Sequence, residues 1–370
     1  MVDSVTHAIN VKEENVVLDG FGYGPAGEDS NLIFGEIDYY QFPSQYRSRK
    51  IMNNNNHTAE QLEEILFLES DVDHHIYSGL EMYDLFKDGF SSNGKGRKLN
   101  DRSPKRTSQM LGIDPLSSNA MERMERRLQS DKWDVDGLKL LPAKFEDGES
   151  LSLWMDDEDG AKPFVERAIE LGVERIFVHK AIPVGPAHQK YEKIDDVETM
   201  AAKYPDIEFI IHHLGFSSVE EHAILMARFP NVWGNLSTTL TYMFISPRKF
   251  AKSLGELLRW CGPDRIMFGS DATIFHPQML IEEFWDNFQI PKDMREEYGY
   301  PKLTDEIKRK ILGLNACDLL DIDPEELRDH VKDDKWARKR REIGEKQDPW
   351  TVFEDDDWEP AVSDIGATAD

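Results

Sequence analysis

The sequence predicts an α/β protein built around a parallel β-sheet whose two faces are covered by helices. Between residues 135 and 320, short runs of near-continuous apolar residues alternate with amphipathic helical patterns, as expected of consecutive βα units. Apolar residues make up 39% of the chain and aromatic residues 10%, which is enough for a sizeable core. A closed barrel and an open sheet both fit. No Gly-x-Gly-x-x-Gly follows a strand, which disfavours an open dinucleotide-binding sheet.

Turn and cap residues mark the individual elements. Strands are predicted at residues 135–141, 176–178, 207–211, 232–236 and 266–268, and the first strand at residues 16–18. Helix ends are indicated by Pro163 and Gly172, Asp195 and Pro205, Ser218 and Pro230, and Gly262. Beyond Asp323 a basic segment (335–341) and an acidic segment (354–359) follow. They predict a solvated helix and a loose tail that contribute little to the core beyond Asp333.

Composition excludes several classes of function. The formal net charge is −27, from 71 acidic and 44 basic residues, and such a field repels nucleic-acid phosphates. The two cysteines lack a Cys-x-x-Cys arrangement, so a zinc knuckle or redox motif has little support. Neither a signal peptide nor an apolar run of membrane-spanning length is found. We therefore expect a cytoplasmic protein with a small-molecule substrate, no nucleic-acid or membrane partner, and a homo-oligomeric assembly.

Three polar residues share one position relative to the predicted strands. His179, His213 and Asp271 each lie at or just beyond the end of an apolar strand, in three different βα units. In a parallel barrel such positions converge where active sites are built. Imidazole and carboxylate are also the ligands of catalytic zinc and similar divalent ions. The pattern predicts a site that contains these three side chains.

The chain resembles the amidohydrolase-related superfamily, a group of metal-dependent hydrolases and decarboxylases. The resemblance is carried, in order, by VDGLKLLP, ERIFVHKAIP, PDIEFIIHHLGF, NVWGNLS, DRIMFGSDATIF and ILGLNACDLLDI. It implies a (β/α)8 TIM-like barrel over residues 1–325, with residues 326–370 as a charged C-terminal extension. It also implies action on a small carboxylate, amide or lactone, by hydrolysis or decarboxylation. The chain looks most similar to members encoded with soluble hydrocarbon monooxygenases, which suggests a monooxygenase-associated protein partner.

The resemblance assigns roles to the three polar residues. His179 matches a ligand of a divalent metal (Zn, or Mn or Fe). His213 matches a histidine that binds the metal or acts as acid or base beside it. Asp271 matches a carboxylate that binds the metal or takes the proton of its bound water. Such a metal lowers the pKa of bound water towards neutrality and polarises the substrate.

The sequence also departs from the family pattern. The family's first strand ends in a His-x-His pair, and the strand predicted at 16–18 is followed instead by Phe21 and Tyr23. With these two ligands missing, metal is expected to bind weakly or not at all. Two hypotheses follow. The first is an enzyme with a degenerate metal site, and the second is a catalytically inactive barrel that serves as a binding or assembly partner.

Further candidates lie on the same strands. Lys139 lies within the strand at 135–141, where it could face the barrel interior near a substrate carboxylate or lie at the sheet rim. Asn235 and Ser237 end the strand at 232–236 and could bind substrate or serve only as turn residues. His212 adjoins His213 and, by strand alternation, is expected to point away from the site.

Overall fold

The computed structural model describes residues 1–17, 43–46, 55–184, 187–344 and 346–353, and its central element is an eight-stranded parallel sheet. The barrel strands are β1 (Val2–Thr6), β2 (His74–Ser78), β3 (Thr107–Gly112), β4 (Gly137–Leu140), β7 (Arg175–His179), β8 (Glu208–His212), β9 (Val232–Asn235) and β10 (Ile266–Met267). A separate antiparallel hairpin consists of β5 (Ala143–Glu146) and β6 (Glu149–Ser152).

Helices connect the strands and surround the sheet. They are α1 (Ala59–Phe67), α2 (Asn93–Arg102), α3 (Ala120–Leu128), α4 (Lys162–Glu170), α5 (Asp195–Lys203), α6 (Val219–Arg228), α7 (Tyr242–Ile245), α8 (Pro247–Cys261), α9 (Pro277–Glu282), α10 (Lys292–Tyr298), α11 (Asp305–Arg309), α12 (Asn315–Leu319), α13 (Pro324–Val331) and α14 (Lys335–Ile343). Of the helices described, none is both long enough and apolar enough to cross a membrane.

The sheet closes on itself between its first and last strands. The Ser4 N–H donates to Phe268 O at 3.0 Å, and the Asp271 N–H donates to Val5 O at 3.0 Å. These bonds join the start of the chain to the segment that follows β10. The predicted (β/α)8 barrel is confirmed.

The first strand is not where the sequence predicted it. Strand β1 begins at Val2, whereas Val16 makes only an isolated bridge with Phe86, and residues 18–42 lie outside the described part of the chain. Strand β1 was missed because three of its five residues, Asp3, Ser4 and Thr6, are polar, so it forms no apolar run. Those polar groups are satisfied by neighbouring strands: the Ser4 hydroxyl donates to Phe268 O at 2.6 Å. Phe21 and Tyr23 lie outside the described residues, so the comparison built on them falls with the strand assignment.

Seven barrel strands each contribute one apolar side chain to an inner cluster: Val2, Ile76, Met110, Phe177, Ile210, Trp233 and Met267. Strand β4 does not. Its Leu138 and Leu140 pack in the other large core cluster, so strand alternation turns Lys139 towards the barrel interior. The same alternation applies to β8, where Ile210 is in the inner cluster and Ile211 in the outer one. His212 therefore faces the interior.

The charged C-terminal segment packs closely on the barrel. Trp336 in α14 is buried against the Phe67 ring, with 5.6 Å between ring centroids. Trp350 is 1% exposed and meets the edge of the His276 ring at 4.8 Å. The expectation that the chain beyond Asp333 contributes little to the core is therefore wrong for residues 335–344 and 346–353. The sequence shows no apolar periodicity here, because the segment is anchored by a few separate aromatic side chains. Its basic residues form ion pairs with acidic residues of α1 and the α1–β2 loop.

We predict that Trp350→Ala lowers the free energy of unfolding by about 3 kcal/mol or more, since it removes a fully buried aromatic side chain. Trp260, which is 50% exposed, provides the matched control, and Trp260→Ala should change stability by no more than about 0.5 kcal/mol. Urea unfolding of the full chain measures both. Equal effects would show that the C-terminal segment is not anchored at Trp350.

Candidate active site at the carboxyl ends of the strands

His179, His213 and Asp271 lie together where the sequence predicted them to converge. His213 Nε2 is 3.0 Å from His179 Nδ1, and His213 Nδ1 is 3.6 Å from Asp271 Oδ2. All three side chains are buried. Their proximity is thus a feature of the structure, while their individual roles remain predictions.

Two hydroxyl groups complete this cluster. The 3-10 helix Ser237–Thr241 begins two residues after β9. It presents the Ser237 hydroxyl, which donates to Asp271 Oδ2 at 2.9 Å and lies 2.7 Å from His213 Nδ1. The Thr238 hydroxyl donates to the same oxygen at 2.6 Å. Thr238 was not predicted as a site residue, because a Ser-Thr-Thr run after a strand is indistinguishable from an ordinary turn sequence.

The cluster forms a continuous hydrogen-bonded chain. It runs from Ile182 O to His179 Nε2 (2.6 Å), then through His213 and Ser237 to Asp271. Both ends, a carbonyl and a carboxylate, only accept hydrogen bonds. Two neutral imidazoles and one hydroxyl carry three protons for these four contacts. Burial lowers the pKa values of His179 and His213 well below 6.5, which favours the neutral imidazoles. The chain can therefore relay a proton from one end to the other.

His7, a residue that sequence analysis overlooked, faces this chain from the end of β1. Its Nδ1 lies 2.8 Å from Ser78 O, which fixes the proton on that nitrogen. The unprotonated Nε2 then faces Asp271 Oδ1 at 3.9 Å. Burial lowers the pKa of His7 to about 4, against the opposing effect of Asp271. The signal for His7 was the strand-end rule used for His179, but the rule needed the correct first strand.

Lys139 lies inside the barrel among these groups. Its side chain is 1% exposed, and its amine has no hydrogen-bond partner within the described residues. Burial lowers the pKa of this amine well below its ordinary value, opposed by the carboxyl groups of Asp271 and Glu192. Of the two positions that the sequence left open for Lys139, the barrel interior is the one observed.

Other buried polar atoms near the strand ends also lack partners in the described parts of the chain. They are both amide atoms of Asn235, Nε2 of His212 and Oε2 of Glu192. The expected outward orientation of His212 is wrong. Its ring lies 5.5 Å from that of Phe177 in the inner cluster, because β8 ends at His212 and His213 belongs to the following turn. Buried polar atoms are almost always paired, so this group indicates a polar ligand or water inside the barrel mouth.

The backbone at the site adopts sparsely populated conformations. His213, Ser237 and Asp271 have φ angles of 58°, 36° and 58°, in the left-handed region that non-glycine residues rarely enter. His213 directly follows β8, Ser237 lies two residues after β9, and Asp271 lies four residues after β10. Such conformations cost free energy and cluster at functional sites.

The model of the amidohydrolase family matches residues 104–322 of this chain, more than half of its length. The chain belongs to the amidohydrolase family. The matched residues include β3, β4 and β7 to β10 and every candidate site side chain except His7. A search of curated proteins finds no match.

Solved structures support the barrel assignment of this amidohydrolase. An uncharacterised TIM-barrel protein from Bordetella bronchiseptica has a TM-score of 0.57 at 14% identity, with 87% of this chain and 99% of that chain covered. An amidohydrolase from Burkholderia multivorans with bound zinc gives 0.51 at 13%, and 5-carboxyvanillate decarboxylase from Sphingomonas paucimobilis gives 0.52 at 12%, both with the same coverage. At these identities the likeness establishes the fold.

Members of this family bind metal ions, but the donors here are not arranged for one. Both ring nitrogens of His179 and of His213 are occupied by contacts within the protein, and Asp271 Oδ2 accepts from two hydroxyls. His7 Nε2 and Asp271 Oδ1 are left as the acceptors that face each other. In the described ranges, no three His, Cys, Asp or Glu side chains are grouped to hold a metal. As arranged, the side chains do not fit a metal centre.

We predict that the purified protein carries well under one equivalent of zinc, manganese or iron, since a metal would have to break the chain of contacts. Ser237→Gly should increase zinc binding, because it removes the hydroxyl that bridges His213 Nδ1 and Asp271 Oδ2. Glycine is chosen because it adopts the positive φ of this position without strain. Ser253→Ala is the control, since Ser253 is an equally buried serine bonded to Gly215 O. Elemental analysis after incubation with zinc and desalting measures the occupancy. Stoichiometric metal in the natural protein would contradict this arrangement.

Glu192 should make stability depend on pH. Burial raises the pKa of its carboxyl to about 8, with Lys180 opposing the shift. The folded state therefore retains a proton that the unfolded state has already lost, and stability falls as pH rises from about 5 through 8. Glu192→Gln cannot ionise, so its stability relative to wild type should increase over this range. Urea unfolding at pH 5, 7 and 9, with the exposed Glu122→Gln as control, tests this. A difference that stays constant with pH would refute it.

Proposed function

We propose that this protein is an amidohydrolase-type enzyme, a hydrolase or decarboxylase, that acts on a small molecule bearing a carboxylate. The observation that carries the proposal is the Lys139 amine, fully buried at the site and without a hydrogen-bond partner in the described residues. An unpaired buried amine is costly unless a bound group satisfies it. A substrate carboxylate or carbonyl oxygen is such a group.

Asn235 supports the same placement of the substrate. Both of its amide atoms are buried and unpaired within the described ranges, so it offers a donor and an acceptor together. It lies one residue beyond the Ile211–Gly234 pair, on the strand next to His212. A small polar molecule in the barrel mouth can meet Lys139 and Asn235 from two different strands, β4 and β9. This is the combination of few, converging polar groups typical of small-molecule sites.

The hydrogen-bonded chain supplies the proton transfers that both reactions need. For decarboxylation, the contacts of His213, Ser237 and Asp271 can relay a proton to the carbon that loses carboxylate. For hydrolysis, Asp271 Oδ1 and His7 Nε2 face each other as acceptors and can take the proton of an attacking water. The chemistry of 5-carboxyvanillate decarboxylase, a structural neighbour, is consistent with the first of these, and we place decarboxylation ahead of hydrolysis.

The test measures binding before turnover. A panel of small aliphatic and aromatic carboxylates is screened by thermal shift, and each compound that binds is assayed for carbon dioxide release or hydrolysis. A ligand present at 100 times its Kd stabilises the folded state by about 2.7 kcal/mol. We expect Lys139→Met to abolish the shift and to lower kcat/KM by about 100-fold or more. Lys302→Met, at an exposed lysine, should change neither.

The outcomes separate the two hypotheses raised by the sequence. Binding and turnover that both require Lys139 support the enzyme. Absence of any thermal shift across the panel contradicts the proposal. Binding without turnover would instead support the alternative of a catalytically inactive barrel that acts as a binding or assembly partner, for example of a monooxygenase-associated protein.

A further inference from the structure

Lys139 differs from every other buried lysine that the structure describes. Lys180 donates to Asp196 at 2.8 Å, Lys144 donates to Asp114 at 3.2 Å, and Lys308 donates to Trp285 O at 2.8 Å. The Lys139 amine has no such partner within the described ranges, although it is as deeply buried as Lys180. Each of the other three has a structural role that its partner explains, and Lys139 does not.

The surroundings of Lys139 contain charge but no counter-ion in contact. Two carboxyl groups and four imidazoles lie within its electrostatic range: Asp271, Glu192, His7, His179, His212 and His213. None of them is within hydrogen-bond distance of the amine. Asp271 instead accepts from the hydroxyls of Ser237 and Thr238. The Asp271 carboxylate is thus hydrogen-bonded to hydroxyls, and the Lys139 amine is left without a partner among the described residues.

Burial without a counter-ion favours the uncharged amine, and burial lowers the pKa of Lys139 well below 10.5. An uncharged lysine amine has a free lone pair and is a nucleophile towards carbonyl carbon. A lysine that only bound a carboxylate would bind it more strongly if its amine were already charged in the free protein. The free amine is therefore better suited to bond formation than to ion pairing.

Glu192 and Asn235 provide the remaining groups that amine–carbonyl condensation requires. Glu192 Oε2 is buried and unpaired among the described side chains, and burial raises its pKa to about 8, so it carries a proton at neutral pH. A protonated carboxyl can give that proton to a departing hydroxyl. The unpaired amide of Asn235 can hold a carboxylate oxygen of the same substrate.

We propose that Lys139 is a Schiff-base lysine that forms an imine with the ketone carbon of a small oxo acid. The amine lone pair forms the N–C bond, and the carbonyl π electrons move to oxygen, which takes a proton while the nitrogen loses one. The resulting hydroxyl leaves as water with the proton of Glu192, and the C=N bond forms. In a 3-oxo acid the protonated imine accepts the electron pair of the C–C bond to the carboxylate, and carbon dioxide leaves.

The cycle closes without an oxidant, reductant or metal. The enamine carbon takes one proton from solvent, relayed through the chain that ends at Asp271. Water then hydrolyses the imine, returns a proton to Glu192, and releases the ketone and free Lys139. The net change is loss of carbon dioxide from the oxo acid and gain of a proton by its carbon. This inference rests on the proposed function only because both place the substrate at Lys139. The proposed function needs a non-covalent contact between the amine and the substrate, whereas this inference adds a covalent bond between them.

Reductive trapping tests the proposal directly. The protein is incubated with acetoacetate, or with pyruvate as a second probe, together with sodium cyanoborohydride, and the adduct is located by peptide mass mapping. We expect Lys139 to be labelled at least ~10-fold more than any other lysine, because each pKa unit of depression raises the fraction of free amine about tenfold. Lys139→Met and Lys139→Arg should remove this label, and Lys302→Met should retain it. Glu192→Gln should slow labelling without moving it to another residue.

Each result of this experiment is decisive when read with the thermal-shift screen. A label at Lys139 that is absent from both Lys139 variants supports the Schiff base. Labelling spread over surface lysines and unchanged in Lys139→Met overturns it. Carboxylate binding that depends on Lys139 but leaves no trapped adduct also overturns it, and the proposed function then stands alone. If the protein shows neither a trapped adduct nor carboxylate binding, both the Schiff base and the proposed function are refuted. Circular dichroism of each variant confirms that it is folded.

Discussion

Closure of the barrel depends on a buried carboxylate near the start of the chain. Asp3 is fully buried and receives the Ser270 N–H at 2.9 Å and the Ser270 hydroxyl at 2.5 Å. Burial raises the pKa of Asp3 to about 7, while the bonds from Ser270 oppose the rise. This contact joins β1 to the segment after β10 across 267 positions of sequence. It also sets His7 opposite Asp271, so the same interaction closes the fold and assembles the site.

The site that results is polar but largely uncharged. Burial lowers the pKa values of His179, His212 and His213 well below 6.5, and it does the same to the Lys139 amine relative to 10.5. A chain with a formal charge of −27 thus carries most of its charge outside a neutral interior. In such an interior a proton or a substrate charge interacts strongly with its neighbours, because little water screens it. The uncharged amine of Lys139 is a consequence of this burial.

The C-terminal segment reinforces the barrel through a second buried carboxylate. Glu69 accepts the N–H groups of Trp350 (2.8 Å) and Val352 (3.0 Å) and lies 3.1 Å from His276 Nε2. His276 caps α9 through its ring nitrogen and follows Asp271 by five residues. The tail is therefore linked to the loop that carries the site carboxylate. The segment that the sequence predicts to be a solvated tail is instead packed on the barrel, because Glu69 and a few buried aromatic side chains hold it in place.

The sequence by itself determined the αβ alternation from β4 to β10, the convergence of His179, His213 and Asp271, and the place of Lys139 in a barrel strand. An apolar strand followed by a polar residue is a local sequence pattern that marks a strand end. In a parallel barrel these ends lie together irrespective of the loop conformations. Only the tertiary structure decided where β1 lies, that His7 belongs to the site, that His212 faces inward, and that the tail is anchored. Each of these rests on a partner distant in the chain, such as Ser270 for Asp3 or Glu69 for Trp350. The absence of a partner for Lys139, on which the proposed chemistry depends, is likewise visible only once every neighbour is in place.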